Sequence, residues 1–224
     1  MEVRLISYSQ TPHTDHAVPD SMADLVAYCA RVSNPSNQDN AQSSEKLLNY
    51  LAKHKHWSPF EMVSVCIEIE TTRDIARQIL RHRSFSFQEF SQRYANPLDE
   101  LTFEIREARL QDTKNRQNSI ATENVELHHA WQDKQQAVIE AATQAYEWAI
   151  ENGIAKEQAR CVLPEGNTVS RMYMNGTLRS WLHYIDLRGS NGTQLEHMMI
   201  AHQIAKVIAS VFPMRISSTK ENGE

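Results

Sequence analysis

Arg81, His82 and Arg83 stand side by side, and after seven further residues come Ser91, one residue, and Arg93. No helix needs three adjacent basic groups to fold, and their mutual repulsion is a cost. The cluster becomes favourable where several phosphate oxygens sit among the guanidinium forks. Ser91 adds a hydroxyl donor, and Glu89, between the two basic groups, is suited to a sugar hydroxyl. The segment reads as a cradle for a nucleotide. The competing reading is an exposed helix end whose cations complement the helix dipole.

Other reactive residue types give weaker patterns. Ser91 has neither a Gly-x-Ser-x-Gly elbow nor an evident base, so a donor to phosphate suits it better than a nucleophile. His54 and His56, with His82 or the pair His128–His129, invite a metal reading. The His-Glu-x-x-His spacing is absent, and no metal ligand set is expected. By themselves Arg160 and Arg188 are ordinary helix cations, the latter ending an apolar helix where a positive charge is favourable. Cys29, Cys66 and Cys161 are odd in number and lack Cys-x-x-Cys spacing. They fit free thiols in a reducing compartment, with Cys66 and Cys161 expected to pack.

The 224 residues suit one domain with a sizeable core. No stretch approaches the roughly 18 apolar residues of a membrane span, and Met1–Ile6 lacks the pattern of a signal peptide. A cytoplasmic location is expected, with no membrane partner. The net charge of −5 argues against a general nucleic-acid binder. Arg73, Arg77, Arg81, Arg83 and Arg93 nevertheless fall within 21 residues, which makes the positive charge local.

The elements that must position these groups follow from patterning. Val3–Tyr8 and the alternation of Val63, Val65, Ile67 and Ile69 predict strands, and so do Leu101–Arg106 and Val169–Met174. Helices are expected over Ser21–Ala30, Ser43–His54, from Thr71 or Thr72 to the arginine cluster, over Asn124–Glu151, through Arg160, and over Leu178–Arg188 and Leu195–Val211. Arg77 and Arg81 should then share one helical face. Asp112–Thr122 reads as a loop and the tail after Pro213 as mobile. The expected class is α+β, a single domain with a central mostly antiparallel sheet flanked by long helices.

The Arg-His-Arg, seven residues, Ser-x-Arg pattern resembles the signature of the flavin-dependent thymidylate synthases. His56–Glu61, Ala159–Pro164 and Leu178–Arg188 are similar to further segments of that family, and the likeness runs from about Ala30 to Phe212. The resemblance implies methylation of dUMP to dTMP, with FAD as cofactor and NADPH and methylenetetrahydrofolate as co-substrates. It implies that Ser58, Arg81, His82, Arg83, Glu89, Thr177, Arg179 and His183 hold FAD, with His56 near the flavin. Gln78, Arg81, Glu89, Ser91, Arg93, Arg160 and Arg188 would hold dUMP. Arg188 would lie against the uracil as the catalytic cation, stabilising charge on the ring. A homotetramer is implied as well.

Two positions depart from the family pattern: Thr177 replaces a common Asn and Gly192 a common His, whereas Gln194 and Glu196 keep their places. The absence of Gly-x-Gly-x-x-Gly fits a flavin held without a Rossmann turn. No cysteine stands in a convincing electropositive pocket, so a thiolate route to ring activation is not expected. Two alternatives remain open. One is a single-stranded nucleic-acid module using Phe85 and Phe87 as stacking platforms. The other is a relative that keeps the nucleotide site without turnover.

Overall fold

A computed structural model of the chain describes residues 1–11, 19 and 21–213. In chain order the elements are β1 (Glu2–Tyr8), α1 (Met22–Ala30), α2 (Ser44–Lys53), β2 (Ser64–Thr72), α3 (Arg73–Ile79) and β3 (Ser86–Glu89). There follow α4 (Pro97–Glu100), β4 (Arg109–Gln111), β5 (Ser119–Ala121), α5 (Val125–Glu151), α6 (Lys156–Ala159), β6 (Val169–Thr177), α7 (Leu178–Arg188) and α8 (Leu195–Val211). The mixture of helices with an antiparallel sheet is the α+β class expected.

The main sheet has the order β1-β2-β6-β3, antiparallel throughout. Ile67 lies opposite Leu5 and Met174, and Ile69 opposite Val3 and Met172. The period of two therefore sends Val65, Ile67, Ile69, Met172 and Met174 to one face. There they join Met22 and Val26 of α1, Trp181 and Ile185 of α7, and Ile200, Ile204 and Ile208 of α8 in the main core. The other face carries Glu68 and Glu70, which pair with Arg4 and with Arg171 (2.6 Å to Nε). A one-residue slip would take those carboxylates from their arginine partners into the apolar core, so the register is strongly specified.

Local chemistry sets the helix ends. Ser21 Oγ accepts from the Asp24 amide at 3.1 Å, and Asn124 Oδ1 from the Leu127 amide at 2.9 Å. α5 stops at Asn152, followed by Gly153 at φ +74°, the left-handed conformation that ends many helices. Tyr146 and Ala149 of α5 form a smaller core with Ala159 and Leu163.

Several expectations are corrected. Leu101–Arg106 is no strand; a single bridge joins Phe103 to Thr168. Its amides are taken elsewhere: Glu104 N donates to Asn167 O at 2.8 Å and Arg106 N to Gln135 Oε1 at 2.9 Å. Meanwhile the Arg106 guanidinium binds Asp74 and Thr72. The stretch expected as loop over Asp112–Thr122 contains β5, which pairs with β4 in a hairpin. α3 ends at Ile79, which leaves Arg81 beyond the helix and off the face of Arg77. Arg77 instead pairs with Glu165. Cys161 is exposed, not packed. The tail after Pro213 lies outside the described residues.

Candidate active site

The Arg-His-Arg turn leaves α3 and enters β3, which adds to the sheet beside β6, with Phe87 opposite Met174. Phe85 anchors the turn, its ring 4.7 Å from that of Trp181. Gly176 makes room for it, because a Cβ there would lie 2.4 Å from Phe85 Cδ1. Ser180 Oγ also holds the turn, donating to Ser84 O at 3.2 Å. Phe85 and Phe87 are packed against the core. They do not present the stacking platforms that a single-stranded nucleic-acid module would need.

This anchoring brings His82 to the end of α7. Arg188 Nε donates to His82 Nε2 at 2.9 Å. Since the guanidinium has no acceptor, the His82 ring must be neutral with its hydrogen on Nδ1. Its environment agrees: burial first, then the charges of Arg188 and Arg81, holds its pKa down at about 4. Arg188 keeps four N–H donors free of this contact.

Behind His82 runs a chain of hydrogen bonds. Its ring lies 4.8 Å from that of Tyr184, whose hydroxyl meets His197 Nε2 at 2.9 Å. His197 Nδ1 meets Gln78 Oε1 at 3.2 Å, and Gln78 Nε2 donates to Gln194 Oε1 at 2.8 Å. Gln194 Nε2 donates to Glu196 Oε2 at 3.0 Å, and Glu196 pairs with Arg109 of β4. His197 is fully buried, and burial, assisted by Arg188 and His82, lowers its pKa to about 3. Burial likewise raises the Tyr184 hydroxyl.

The side expected to hold a phosphate, at Ser91 and Arg93, is open by comparison. Ser91, Arg93 and Tyr94 line a surface cavity of about 370 Å³ with Ala155, Lys156 and Glu157. Arg93 reaches Glu157 at 3.5 Å, and Lys156 Nζ donates to Tyr94 O at 3.2 Å. Arg160 does not line this cavity; it begins the short turn after α6. Glu89 is held by Ser170 at 2.8 Å and Arg73 at 3.4 Å. Among the described residues Arg81, Arg83 and Arg160 make no salt bridge.

Of the residues expected at the flavin, Thr177, Arg179 and His183 belong to α7 and its cap, and Ser58 to the turn packed against it, whereas His82 meets the far end of α7. Arg179 pairs with Glu61, in the short turn that Ser58 begins. His183 meets the ring of Trp57 edge-on at 4.7 Å. Thr177 caps α7, its Oγ1 accepting from the Ser180 amide at 3.4 Å. His54 and His56 gather around Tyr50 instead of around a metal-like ligand set, with ring distances of 4.3 and 6.3 Å. Lys55 between them has φ +59°, so the turn is bent through the left-handed region.

Sequence reasoning did not pick out Tyr184, His197 or Arg109 as functional. His197 offered a signal, a histidine among the apolar positions Ile200, Ile204 and Ile208 of α8. Tyr184 and Arg109 offered no signal of their own in spacing or neighbours.

Comparisons with known proteins bear on this arrangement. Residues 15–214 match the family model described as thymidylate synthase complementing protein. The flavin-dependent thymidylate synthase of Synechocystis is 48% identical over 213 residues, covering 95% of this chain and 96% of that protein. A probable flavin-dependent thymidylate synthase of Paramecium bursaria Chlorella virus 1 is also 48% identical, over 85% of this chain and 87% of that one. The chain belongs to the flavin-dependent thymidylate synthase family. Its fold matches the crystal structure of the UMP/dUMP methylase PolB from Streptomyces cacaoi bound with 5-Br dUMP. The TM-score is 0.78 at 26% identity, covering 97% of this chain and 92% of that one.

As a family member the chain has two departures with structural accounts. Gly192 sits at φ +95° with open space around it, so the backbone conformation favours glycine there. Thr177 retains a role through its helix cap.

Proposed function

We propose that this chain methylates dUMP to dTMP reductively, with FAD as cofactor, methylenetetrahydrofolate as carbon donor and NADPH as reductant. One observation carries the reading: Arg188, with four free donors, is braced by a neutral His82 beside the unpaired Arg81 and Arg83. The donor set fits a flavin nucleotide: guanidinia at Arg81 and Arg83 suit its diphosphate, and the half-buried Trp57, with the exposed His183 edge-on to it, suits an aromatic ring. Ser58, Glu89, Thr177 and Arg179 complete that set. Bound flavin supplies the reducing equivalents.

The chain's own residues orient the nucleotide and manage charge. Gln78 and Glu89 face the base and sugar, and Ser91, Arg93 and Arg160 take the phosphate. Arg188 meets the negative charge that grows on the uracil when carbon 5 attacks the one-carbon unit. A guanidinium stays protonated throughout and needs no reorganisation at that moment. The neutral His82 leaves the positive charge of Arg188 uncompensated and directed at the substrate.

The same reading makes the protein a cytoplasmic homotetramer with sites built across subunits. Support comes from three unbonded cysteines and from exposed Trp131, Val138 and Trp148 along α5. Among the described residues no helix is long and apolar enough to cross a membrane. The test is a visible spectrum of the purified protein with added FAD, followed by an assay for dTMP. A retained flavin band with dTMP formed is expected. Absence of the band after removal of excess FAD would overturn the flavin assignment, and a yellow protein without turnover would make this a non-catalytic relative.

A further inference from the structure

The chain of hydrogen bonds through Gln78 has only one possible sense, and that sense is set from its charged end. Glu196 is paired with Arg109, and an ionised carboxylate only accepts. Gln194 must therefore turn its NH₂ toward Glu196, which points its carbonyl oxygen at Gln78. Gln78 must in turn give its NH₂ to Gln194 and its Oε1 to His197. His197 then carries its hydrogen on Nδ1, and Tyr184 donates to its Nε2. Turning the Gln78 amide over would set its carbonyl against that of Gln194, a clash that no change of His197 tautomer relieves. The neutral state of the buried His197 is consistent with its single donor and single acceptor.

We propose that the Arg109–Glu196 ion pair, acting through Gln194, locks the Gln78 amide in the orientation that accepts a uracil ring and rejects a cytosine. The inference rests on the reading of Gln78 as a group that faces the base. After its two internal bonds, Gln78 keeps one lone pair on Oε1 and one hydrogen on Nε2. Uracil presents a donor at N3 and an acceptor at O4, and cytosine presents the reverse, an acceptor at N3 and a donor at N4. One amide orientation matches one base. Arg109 and Glu196 are thus positioning residues, and the β4–β5 hairpin that holds Arg109 is part of the specificity apparatus.

The experiment compares dUMP and dCMP binding to the FAD-loaded protein by calorimetry, in wild type, Glu196→Gln and Glu196→Asp. A neutral amide at 196 can donate or accept, so the sense of the chain is lost. The preference for dUMP over dCMP should fall at least tenfold in Glu196→Gln and stay near wild type in Glu196→Asp. Arg109→Gln releases the Glu196 side chain from the position in which it meets Gln194, so it should act in the same direction and serves if Glu196→Gln folds poorly. A purely structural role would weaken both ligands equally. An unchanged ratio in folded Glu196→Gln and Arg109→Gln, with wild type preferring dUMP, would overturn this proposal alone. Wild-type protein that binds no dUMP would overturn the nucleotide reading and this inference together.

Discussion

The two halves of the candidate site are built on opposite principles. Around Gln78, His197 and Arg188 the polar groups are buried or half-buried and paired, down to the tautomers of two histidines. Around Ser91 and Arg93 the groups are exposed, and the ion pair to Glu157 joins two solvated side chains. A ring whose edge must be read, and whose charge must be stabilised as it develops, requires donors already in place. A phosphate is a dense, nearly symmetric charge, and exposed flexible cations can meet it without being ordered beforehand. The contrast predicts that lesions in the closed half change turnover and discrimination. Lesions in the open half should change affinity and its dependence on salt.

The largest effect should come from Arg188. Arg188→Ala should reduce turnover on the order of a hundredfold or more, comparable to the loss of one charge-stabilising donor. Arg188→Lys should recover only part, because the fork that braces His82 and is proposed to meet the substrate is lost. Removal of the guanidinium also removes one of the charges that depress His82, whose pKa should then rise from about 4 toward its ordinary 6.5. Steady-state kinetics and an imidazole proton titration by NMR check both outcomes. A changed Michaelis constant with normal turnover would place Arg188 among the binding groups.

Arg93→Ala probes the open half. A phosphate contact is made in ground and transition states alike, so KM for dUMP should rise about tenfold while turnover stays within a few-fold. The wild-type KM should rise with ionic strength, since exposed charges are screened. That dependence should flatten in Arg93→Ala. The same kinetics at two salt concentrations decide it.

Which parts were legible in the sequence follows the same division. The alternation in β2 and the spacing of apolar residues in α5, α7 and α8 reflect burial, which imposes a period. The Arg-His-Arg and Ser-x-Arg groups are close in sequence because they flank one short strand, β3. By contrast, the relay joins Arg109, Tyr184, Gln78 and His197 from four separate elements, and no local spacing announces it. Leu101–Arg106 misled for a related reason. Its alternation suits a strand, but its backbone amides found a loop carbonyl and the Gln135 side chain instead.

Acid should destabilise the closed half before the open one. His82 and His197 have folded pKa values of about 4 and about 3, lowered first by burial and then by nearby cations. In the unfolded chain both return to roughly 6.5. Between these values the unfolded state binds more protons, so stability rises with pH across the window and levels off above about 6.5. The urea midpoint should accordingly fall as pH is lowered from 6.5 to 4.5. His197→Gln should reduce the steepness of that fall even if it lowers the midpoint at every pH. A pH profile as steep as that of the wild type would show that His197 is not held neutral by the fold.

The smallest effects should come from the thiols, which belong to neither half. A nucleophilic cysteine needs a thiolate near neutral pH, supplied by adjacent cations or a helix N-terminus. Cys29 and Cys66 are half-buried and burial pushes both thiols up, away from reactivity. Cys66 also points to the charged face of β2, where Glu68 and Glu70 would oppose a thiolate. Cys161 is exposed beside Arg160, the one thiol with a cation as chain neighbour, and so the most informative to replace. Cys161→Ala should leave turnover and KM within twofold of wild type, because no buried contact is lost. Cys29→Ala and Cys66→Ala should cost roughly 1 kcal/mol of stability for a small half-buried side chain, with turnover kept. A folded variant that bound both FAD and dUMP yet made no dTMP would assign that thiol to the chemistry and take ring activation away from Arg188.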